Sequence, residues 1–402
     1  MPFETPTLRR LARVGGLACL LALVVALAGC SPDQYPQSAL HPRGDFARMV
    51  DGLFHQVLFW ATVVFVLVEG ALIYVIFRYR GKPDDPEPEQ THGNTTLEIV
   101  WTMVPAIILA MIAVPTVKAI FVENSVPTNN PLTVQVIGHQ WWWEFRYPEY
   151  GITTANELHI PVGRTVSLRM GTSDVVHSFW TPQLAGKRDV FPNRETRLWF
   201  TAEAPGYYRG QCAEFCGIQH AKMAFHIVAD SPEQFDAYVK SMQATGTLTA
   251  TGAPRPAPAP AGTPVKLQGG AVVKTGLGGP TPTPAGPAPQ AAPAAPADTT
   301  KPAAPTDPVL VAGNKLFLSK GCVGCHALTA VNVPAGMVGP NLAHIGTRRH
   351  IAAGMIENTD ANLAHWIRVP QEVKKGVLMP NLGLTEQEAQ QLVAYFRALA
   401  KQ

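Results

Sequence analysis

The stretch Gln211-Cys-Ala-Glu-Phe-Cys-Gly-Ile-Gln-His-Ala-Lys-Met223 decides how the rest of the chain is read. It places Cys212, Cys216, His220 and Met223 in one short run. Two thiolates, an imidazole and a thioether form a soft donor set, which favours copper over zinc or magnesium. A second imidazole has to come from elsewhere. His177, in Asp174-Val-Val-His-Ser-Phe-Trp180, stands upstream to supply it. A single copper ion needs one Cys. Two Cys four residues apart allow two thiolates to bridge two copper ions, which share one electron so that little rearranges when it moves. The alternative is a Cys212–Cys216 disulfide with His and Met nearby by chance. Four ligands of three types at fixed spacing are more specific than that.

An upstream His on a strand, followed by a Cys-to-Met loop near the end of a domain, is the ligand order of a cupredoxin. With His177, the loop resembles subunit II of the haem-copper cytochrome c oxidases. The match extends over most of residues 50–240 and includes Gly138-His-Gln-Trp-Trp-Trp-Glu-Phe-Arg-Tyr147, which is similar to that family's aromatic run. By residue match, the resemblance implies copper ligands at His177, Cys212, Cys216, His220 and Met223, with the main-chain carbonyl of Glu214. It implies that the Glu214 side chain serves a magnesium ion shared with subunit I, and that Trp141 is where electrons enter. Plain core packing is the alternative for at least one of Trp141, Trp142 and Trp143. Asp189 and Arg194, in Lys187-Arg-Asp-Val-Phe-Pro-Asn-Arg194, match a contact surface near the haem propionates of subunit I, or stand as solvated turn charges.

A chain of 402 residues predicts two to four domains. Charged residues are 15% and hydrophobic ones 47%, which points to a membrane protein with soluble parts. The net charge of +3 comes without a basic block, so nucleic acid is excluded as a partner. The six Cys fall in pairs: Cys19 and Cys30 in a leader, Cys212 and Cys216 in the copper loop, Cys322 and Cys325 in the last domain. Pairs at metal spacings argue for cofactors rather than a disulfide framework.

Residues 1–30 read as a lipoprotein signal peptide, with Arg9, Arg10 and Arg13 before an apolar run from Leu17 to Leu27. Its end, Leu27-Ala-Gly-Cys30, resembles a lipobox, which implies cleavage before Cys30 and acylation of its sulfur. An ordinary cleavage site or an uncleaved anchor is the alternative. Residues 31–125 hold a transmembrane helix hairpin. The first span, Leu58 to Phe77, has the ~20 residues that a bilayer core requires. Glu69, its only charge, is expected to face protein, and Arg78, Arg80 and Lys82 mark its cytoplasmic end. The second span, Ile99 to Val117, contains Pro105 and Pro115, tolerable where a membrane helix packs on partners. Thr95-Thr-Leu-Glu-Ile-Val-Trp101 resembles the family segment whose Glu stands at the mouth of a proton channel in subunit I. That implies a proton-uptake role for Glu98; the alternative is a helix-capping charge.

Residues 126–245 change to short β-branched runs punctuated by Pro and Gly, such as Leu132–Ile137, Thr165–Arg169 and Thr196–Thr201. They predict an all-β sandwich or barrel of cupredoxin type, with the ligand loop held between two strands. Residues 246–307 are a Pro/Ala/Gly-rich linker with too few apolar side chains to repay ordering, averaging about 40 Å end to end as a coil.

Residues 308–402 open with a helical pattern, then Gly321-Cys-Val-Gly-Cys-His326. Cys-x-x-Cys-His is the attachment signal for a c-type haem: Cys322 and Cys325 bond the vinyl groups and His326 binds iron. Val338-Gly-Pro-Asn-Leu342 resembles the loop whose proline carbonyl accepts the proximal imidazole N–H. Gly376-Val-Leu-Met-Pro-Asn381 resembles the loop of the sixth ligand, and this selects Met379 over Met337, Met355, His344 and His350. Thr385-Glu-Gln-Glu388 is a capping box for a final helix. The domain resembles a small all-α class I cytochrome c.

Together these implications describe an electron-input subunit of a membrane cytochrome c oxidase. Electrons would pass from a soluble cytochrome c or other small donor, through haem c and the dinuclear copper, to subunit I, where oxygen is reduced and protons are pumped. Subunit III and membrane lipid are further expected partners. The expected location is the bacterial inner membrane, multi-pass, with both redox domains on the periplasmic side. The copper subunit of a nitric oxide reductase would read alike. A copper-binding lipoprotein leaves the haem motif unexplained. A nitrous oxide reductase would end a soluble propeller, and a quinol oxidase subunit II would lack the copper ligands.

Overall fold

The computed structural model describes residues 15–25, 35–81, 86–87, 90, 93–125, 129–244, 307–331, 333 and 337–401. The predicted lipidation site Cys30 lies outside these residues, as does the predicted linker apart from Asp307. A short apolar helix, α1 (Gly15–Val25), falls within the predicted leader.

Among the described residues, two helices are apolar and long enough to cross a bilayer: α2 (Asp45–Arg78) and α3 (Thr95–Asn124). At 34 residues and ~1.5 Å per residue, α2 is about 51 Å long, well beyond a ~30 Å hydrocarbon core. Both helices outrun the spans read from hydropathy because their outer ends pack on protein. Asp45 Oδ1 accepts the Thr201 N–H at 2.7 Å. Phe46 meets Trp199 edge-on at 5.6 Å, and the Trp199 indole donates to the Glu123 carbonyl at 3.1 Å. At the other end, the Asn94 side chain caps α3 by accepting from Thr96 and Leu97 N–H.

The strands are β1 (Leu132–His139), β2 (Trp142–Tyr147), β3 (Ile152–Ala155), β4 (Glu157–Pro161), β5 (Val166–Thr172), β6 (His177–Trp180), β7 (Lys187–Val190), β8 (Thr196–Phe200), β9 (Gly206–Cys212) and β10 (Ala224–Asp230). They form two five-stranded sheets, in the orders β3-β2-β1-β5-β8 and β4-β10-β9-β6-β7. Strand β1 alternates buried and half-buried positions along its length, so Leu132, Val134 and Val136 point into the sandwich. Between the sheets Phe179 and Phe225 stack at 4.3 Å, with Trp143 edge-on to Phe179 at 5.5 Å. Helix α4 (Pro232–Ala244) closes one end by burying Phe235, Val239 and Met242.

The last domain contains α5 (Pro308–Ser319), a two-stranded hairpin β11 (His350–Ile351) and β12 (Ile356–Glu357), α6 (Asp360–Arg368), α7 (Pro370–Val373) and α8 (Glu386–Leu399). The hairpin is the one departure from the all-α expectation among the described residues. Helices α5 and α8 approach closely because Gly313 has no Cβ where the Tyr395 ring lies. Phe317 meets Phe396 edge-on at 6.3 Å beside that contact. The capping box between Thr385 and Glu388 forms, with both reciprocal hydrogen bonds.

Candidate functional site

Strand β9 ends at Cys212 and β10 begins at Ala224, so the ligand loop is a connection between two antiparallel strands of one sheet. Strand β6 lies beside β9 in register Phe179 to Cys212, which brings His177 to the loop. The predicted donors then form a contiguous chain. Cys212 Sγ lies 3.8 Å from His177 Nδ1, 3.2 Å from the Glu214 carbonyl oxygen and 3.7 Å from Cys216 Sγ. Cys216 Sγ lies 3.7 Å from His220 Nδ1 and 3.8 Å from Met223 Sδ. The two sulfurs are far beyond the ~2.05 Å of a disulfide, and both thiols are free and buried. His177, Cys212 and Cys216 offer donor atoms that all lie within 4.8 Å of one another. Two sulfurs flanked by two imidazoles, a thioether and a carbonyl fit copper by donor chemistry.

Neighbouring groups set the orientation and charge of these donors. His177 Nε2 donates to Asp174 Oδ1 at 2.8 Å, which leaves Nδ1 facing the sulfurs. Burial opposes ionisation of Asp174, but hydrogen bonds from His177, Gln140 N–H and Val175 N–H outweigh it and hold the carboxyl below its usual range. The Cys216 S–H, acting against burial and assisted by His177 and the backbone, holds the Cys212 thiol well down, so one sulfur loses its proton easily. The charge of a bound metal would remove the second proton. The Cys216 carbonyl accepts from Gln140 Nε2 at 2.7 Å and from the Trp141 indole at 2.9 Å. Trp141 is therefore half-buried against the copper loop, while Trp143 is wholly buried core. Asp174 and Gln140 carry no motif of their own, and sequence reading missed their part in the site.

In the last domain Cys322, Cys325, His326 and Met379 line one cavity. His326 Nδ1 donates to the Pro340 carbonyl at 2.7 Å, which leaves Nε2 without a proton and able to ligate. Burial first, then Arg348, hold this ring below its ordinary range against the Pro340 carbonyl, so the neutral, ligating form is favoured. A Cβ at Gly339 would clash with the His326 ring. Of the other sixth-ligand candidates, Met337, Met355 and His344 do not line the cavity. His350 does reach the wall, with its Nδ1 bonded to the Tyr207 hydroxyl at 2.9 Å. The buried Arg348 also lines the cavity; its Nη2 donates to Asn341 O at 2.6 Å, and its buried Nε has no partner among the described residues. An orphan guanidinium N–H beside an apolar cavity fits a cofactor with a carboxylate edge. Arg348 was also missed from sequence, since only the fold turns it inward.

The two sites share a wall. Gln140, Trp141 and Trp142 of the β-domain line the cavity of the last domain, and the Trp142 indole donates to the Val338 carbonyl at 3.3 Å. The other sequence candidates lie apart. Glu98 is exposed in the first turn of α3. Asp189 sits on β7, 3.9 Å from Lys187 Nζ, and the exposed Arg194 stacks over Phe191 at 4.0 Å. The Glu214 side chain is half-buried.

Comparison with known proteins agrees with this architecture. Residues 39–119 match the family model for the transmembrane domain of cytochrome c oxidase subunit II, 151–231 that for its periplasmic domain, and 310–400 that for cytochrome c. The chain is 32% identical over 385 residues to cytochrome c oxidase subunit 2 of Alkalihalophilus pseudofirmus, covering 94% of each protein. It is 32% identical over 340 residues to the corresponding subunit of Bacillus sp. PS3, covering 80% of each. It is 34% identical over 236 residues to quinol oxidase subunit 2 of Bacillus cereus, covering 56% of this chain and 78% of that protein. The three matched domains imply copper and haem binding and an inner-membrane protein with periplasmic domains. With two apolar helices, a donor-lined cupredoxin-like domain and a cytochrome domain in one chain, this protein belongs to the cytochrome c oxidase subunit II family of oxidoreductase subunits, in a form that carries its own cytochrome c.

Proposed function

We propose that this chain takes electrons from a soluble donor and passes them through a covalent haem c and a dinuclear copper centre to subunit I of a haem-copper oxidase, where oxygen is reduced and protons are pumped. The observation that carries the reading is the shared wall: the cavity bearing Cys322, Cys325 and His326 is bounded by Trp142 and by Trp141, whose indole bonds the Cys216 carbonyl of the copper loop. Each cofactor, when bound, supplies a one-electron carrier. The work of the protein is to hold both in a dry, fixed frame.

His177, Cys212, the Glu214 carbonyl, Cys216, His220 and Met223 would hold two copper ions. Asp174 orients His177, and the Gln140 and Trp141 hydrogen bonds pin the Cys216 carbonyl. Trp141, touching that carbonyl and lining the haem cavity, is the residue through which electrons reach copper. Cys322 and Cys325 would carry the haem, His326 and Met379 its iron, and Arg348 one propionate. Pro340 orients His326, raising its basicity through the Nδ1 hydrogen bond. Glu214 would lend its carboxylate to a magnesium ion bordering subunit I. The exposed Phe215 on the same loop supports that border as a contact face.

Both helices cross the membrane as a hairpin, Cys30 carries lipid, and Glu98 gathers protons on the cytoplasmic side. Subunit III completes the complex. The test is to purify the native complex and compare oxygen with nitric oxide consumption on reduced cytochrome c. Oxygen uptake, with a haem c spectrum and a multi-line copper resonance in the same preparation, is expected. Turnover on nitric oxide alone would reassign the acceptor.

A further inference from the structure

A buried polar seam joins the copper and cytochrome domains, and neither cofactor accounts for it. Glu157, which opens β4, is only 6% exposed. Its Oε1 accepts from the backbone N–H of Arg349 at 2.9 Å and of His350 at 3.4 Å, and from the Tyr207 hydroxyl at 3.1 Å. His350 Nδ1 lies 2.9 Å from the same hydroxyl. The bonds have one consistent direction: His350 Nδ1–H to Tyr207 oxygen, Tyr207 O–H to Glu157. His226 stacks on Tyr207 at 4.4 Å and on His350 at 4.5 Å, and the Arg349 guanidinium lies 4.8 Å over Tyr207. The copper domain supplies Glu157, Tyr207 and His226; the cytochrome domain supplies Arg349 and His350. A buried carboxylate needs its hydrogen bonds, and here two of its three donors belong to the other domain. They can be met in only one relative placement.

The chain then continues against the copper loop. Ala352, Ala353 and Gly354 have φ of 54°, 59° and 74°. Successive left-handed residues with Cβ atoms are costly and persist where surroundings hold them. Here Ala224 N–H donates to the Ala353 carbonyl at 3.0 Å. Lys374 Nζ donates to the Ala352 carbonyl at 3.3 Å and to the Lys222 carbonyl at 2.8 Å. Lys222 and Ala224 flank Met223. One segment, 348–354, thus reaches the haem cavity through Arg348, the buried carboxylate through Arg349 and His350, and the copper loop through Ala352 and Ala353.

We propose that Glu157 is a positioning residue for electron transfer between the two sites: with Tyr207 and His350 it locks the cytochrome domain onto the copper domain in one orientation. The haem then delivers its electron from a fixed dock, not from a domain that must return along its linker at each turnover. This rests on the reading that haem c feeds the copper centre.

The test uses the purified complex, with haem c reduced by a flash-excited ruthenium dye and the copper band followed in time. In the wild type, transfer is expected in a single phase that added glycerol does not slow. Glu157→Leu removes a charge-assisted acceptor, so the docked population should fall by about tenfold or more. Its transfer should become slow, multiphasic and viscosity-dependent, with both cofactor spectra and potentials unchanged. Glu157→Gln keeps an acceptor oxygen and should restore most of the rate. Should Glu157→Leu fail to assemble, Tyr207→Phe removes only the hydroxyl that bridges Glu157 and His350, and should show the same change in milder form. A viscosity-dependent wild-type rate, or variants as fast as the wild type, would overturn the dock. Absence of haem-to-copper transfer in the wild type would instead overturn the proposed function, and is read directly from the missing copper signal.

Discussion

Gln56 Nε2 of α2 donates to the Met111 carbonyl of α3 across 3.1 Å. Met111 stands four residues before Pro115, which has no N–H to give it. The helix–helix hydrogen bond therefore satisfies a carbonyl that α3 itself leaves open, in the part of the chain where water is least able to do so.

Gln56→Leu should accordingly weaken the hairpin by about 0.6 kcal/mol and at most ~1.7 kcal/mol, the range of such bonds in membrane proteins. Pro115→Ala restores the backbone donor, so the loss from Gln56→Leu should shrink in that background. A double-mutant cycle on the unfolding of the detergent-solubilised chain measures the coupling. Equal losses in both backgrounds would show that the carbonyl does not need Gln56.

Cys216→Ser should abolish the sharing of one electron between two copper nuclei, because the second sulfur 3.7 Å from Cys212 is gone. The expected result is loss of the multi-line copper resonance with the haem c spectrum intact. An unchanged resonance would sink the bridged assignment.

Gly138→Ala should disturb copper without touching haem. A Cβ at Gly138 would lie 2.8 Å from His177 Cδ2, and His177 is fully buried. Overpacking of this kind costs about 1–3 kcal/mol, and the ring that must move is a proposed ligand. A shifted copper absorption with an unaltered haem potential is expected; an unchanged copper spectrum would mean the ring has room.

Met379→Leu should remove the weak far-red sulfur-to-iron band of the oxidised haem and lower its potential, since a His/Met-ligated haem has a raised one. Covalent attachment through Cys322 and Cys325 should survive. Retention of band and potential would shift the sixth ligand to another residue on the cavity wall.

Burial, reinforced by His350 and Arg209, pushes His226 down to about 3. Its folded value lies below the ordinary 6.5, so below that pH the unfolded chain binds a proton that the folded chain refuses. The associated stability is full above about pH 6.5 and is lost as pH falls toward 3, by up to about 1.4 kcal/mol per unit. His226→Phe keeps a flat ring in the stack and should flatten this acid limb in thermal unfolding from pH 7 to 4. An equally steep limb in the variant would assign it to other groups.

The sequence by itself determined whatever depends on short spacing. Cys212, Cys216, His220 and Met223 sit in one loop, and Cys322, Cys325 and His326 in another, so their donor sets could be read along the chain. The Thr385–Glu388 capping box was legible for the same reason, as was the apolar length of the two long helices. Tertiary structure alone decided what comes together from far apart. The β6–β9 register puts His177 against Cys212, Asp174 fixes which ring nitrogen faces the sulfurs, and the fold turns Arg348 inward to the haem cavity. Glu157 and His350 are 193 residues apart, and Gln56 and Met111 55 apart. Nothing local marks such pairs, because a buried carboxylate or a proline-freed carbonyl takes whichever donor the packed domains deliver.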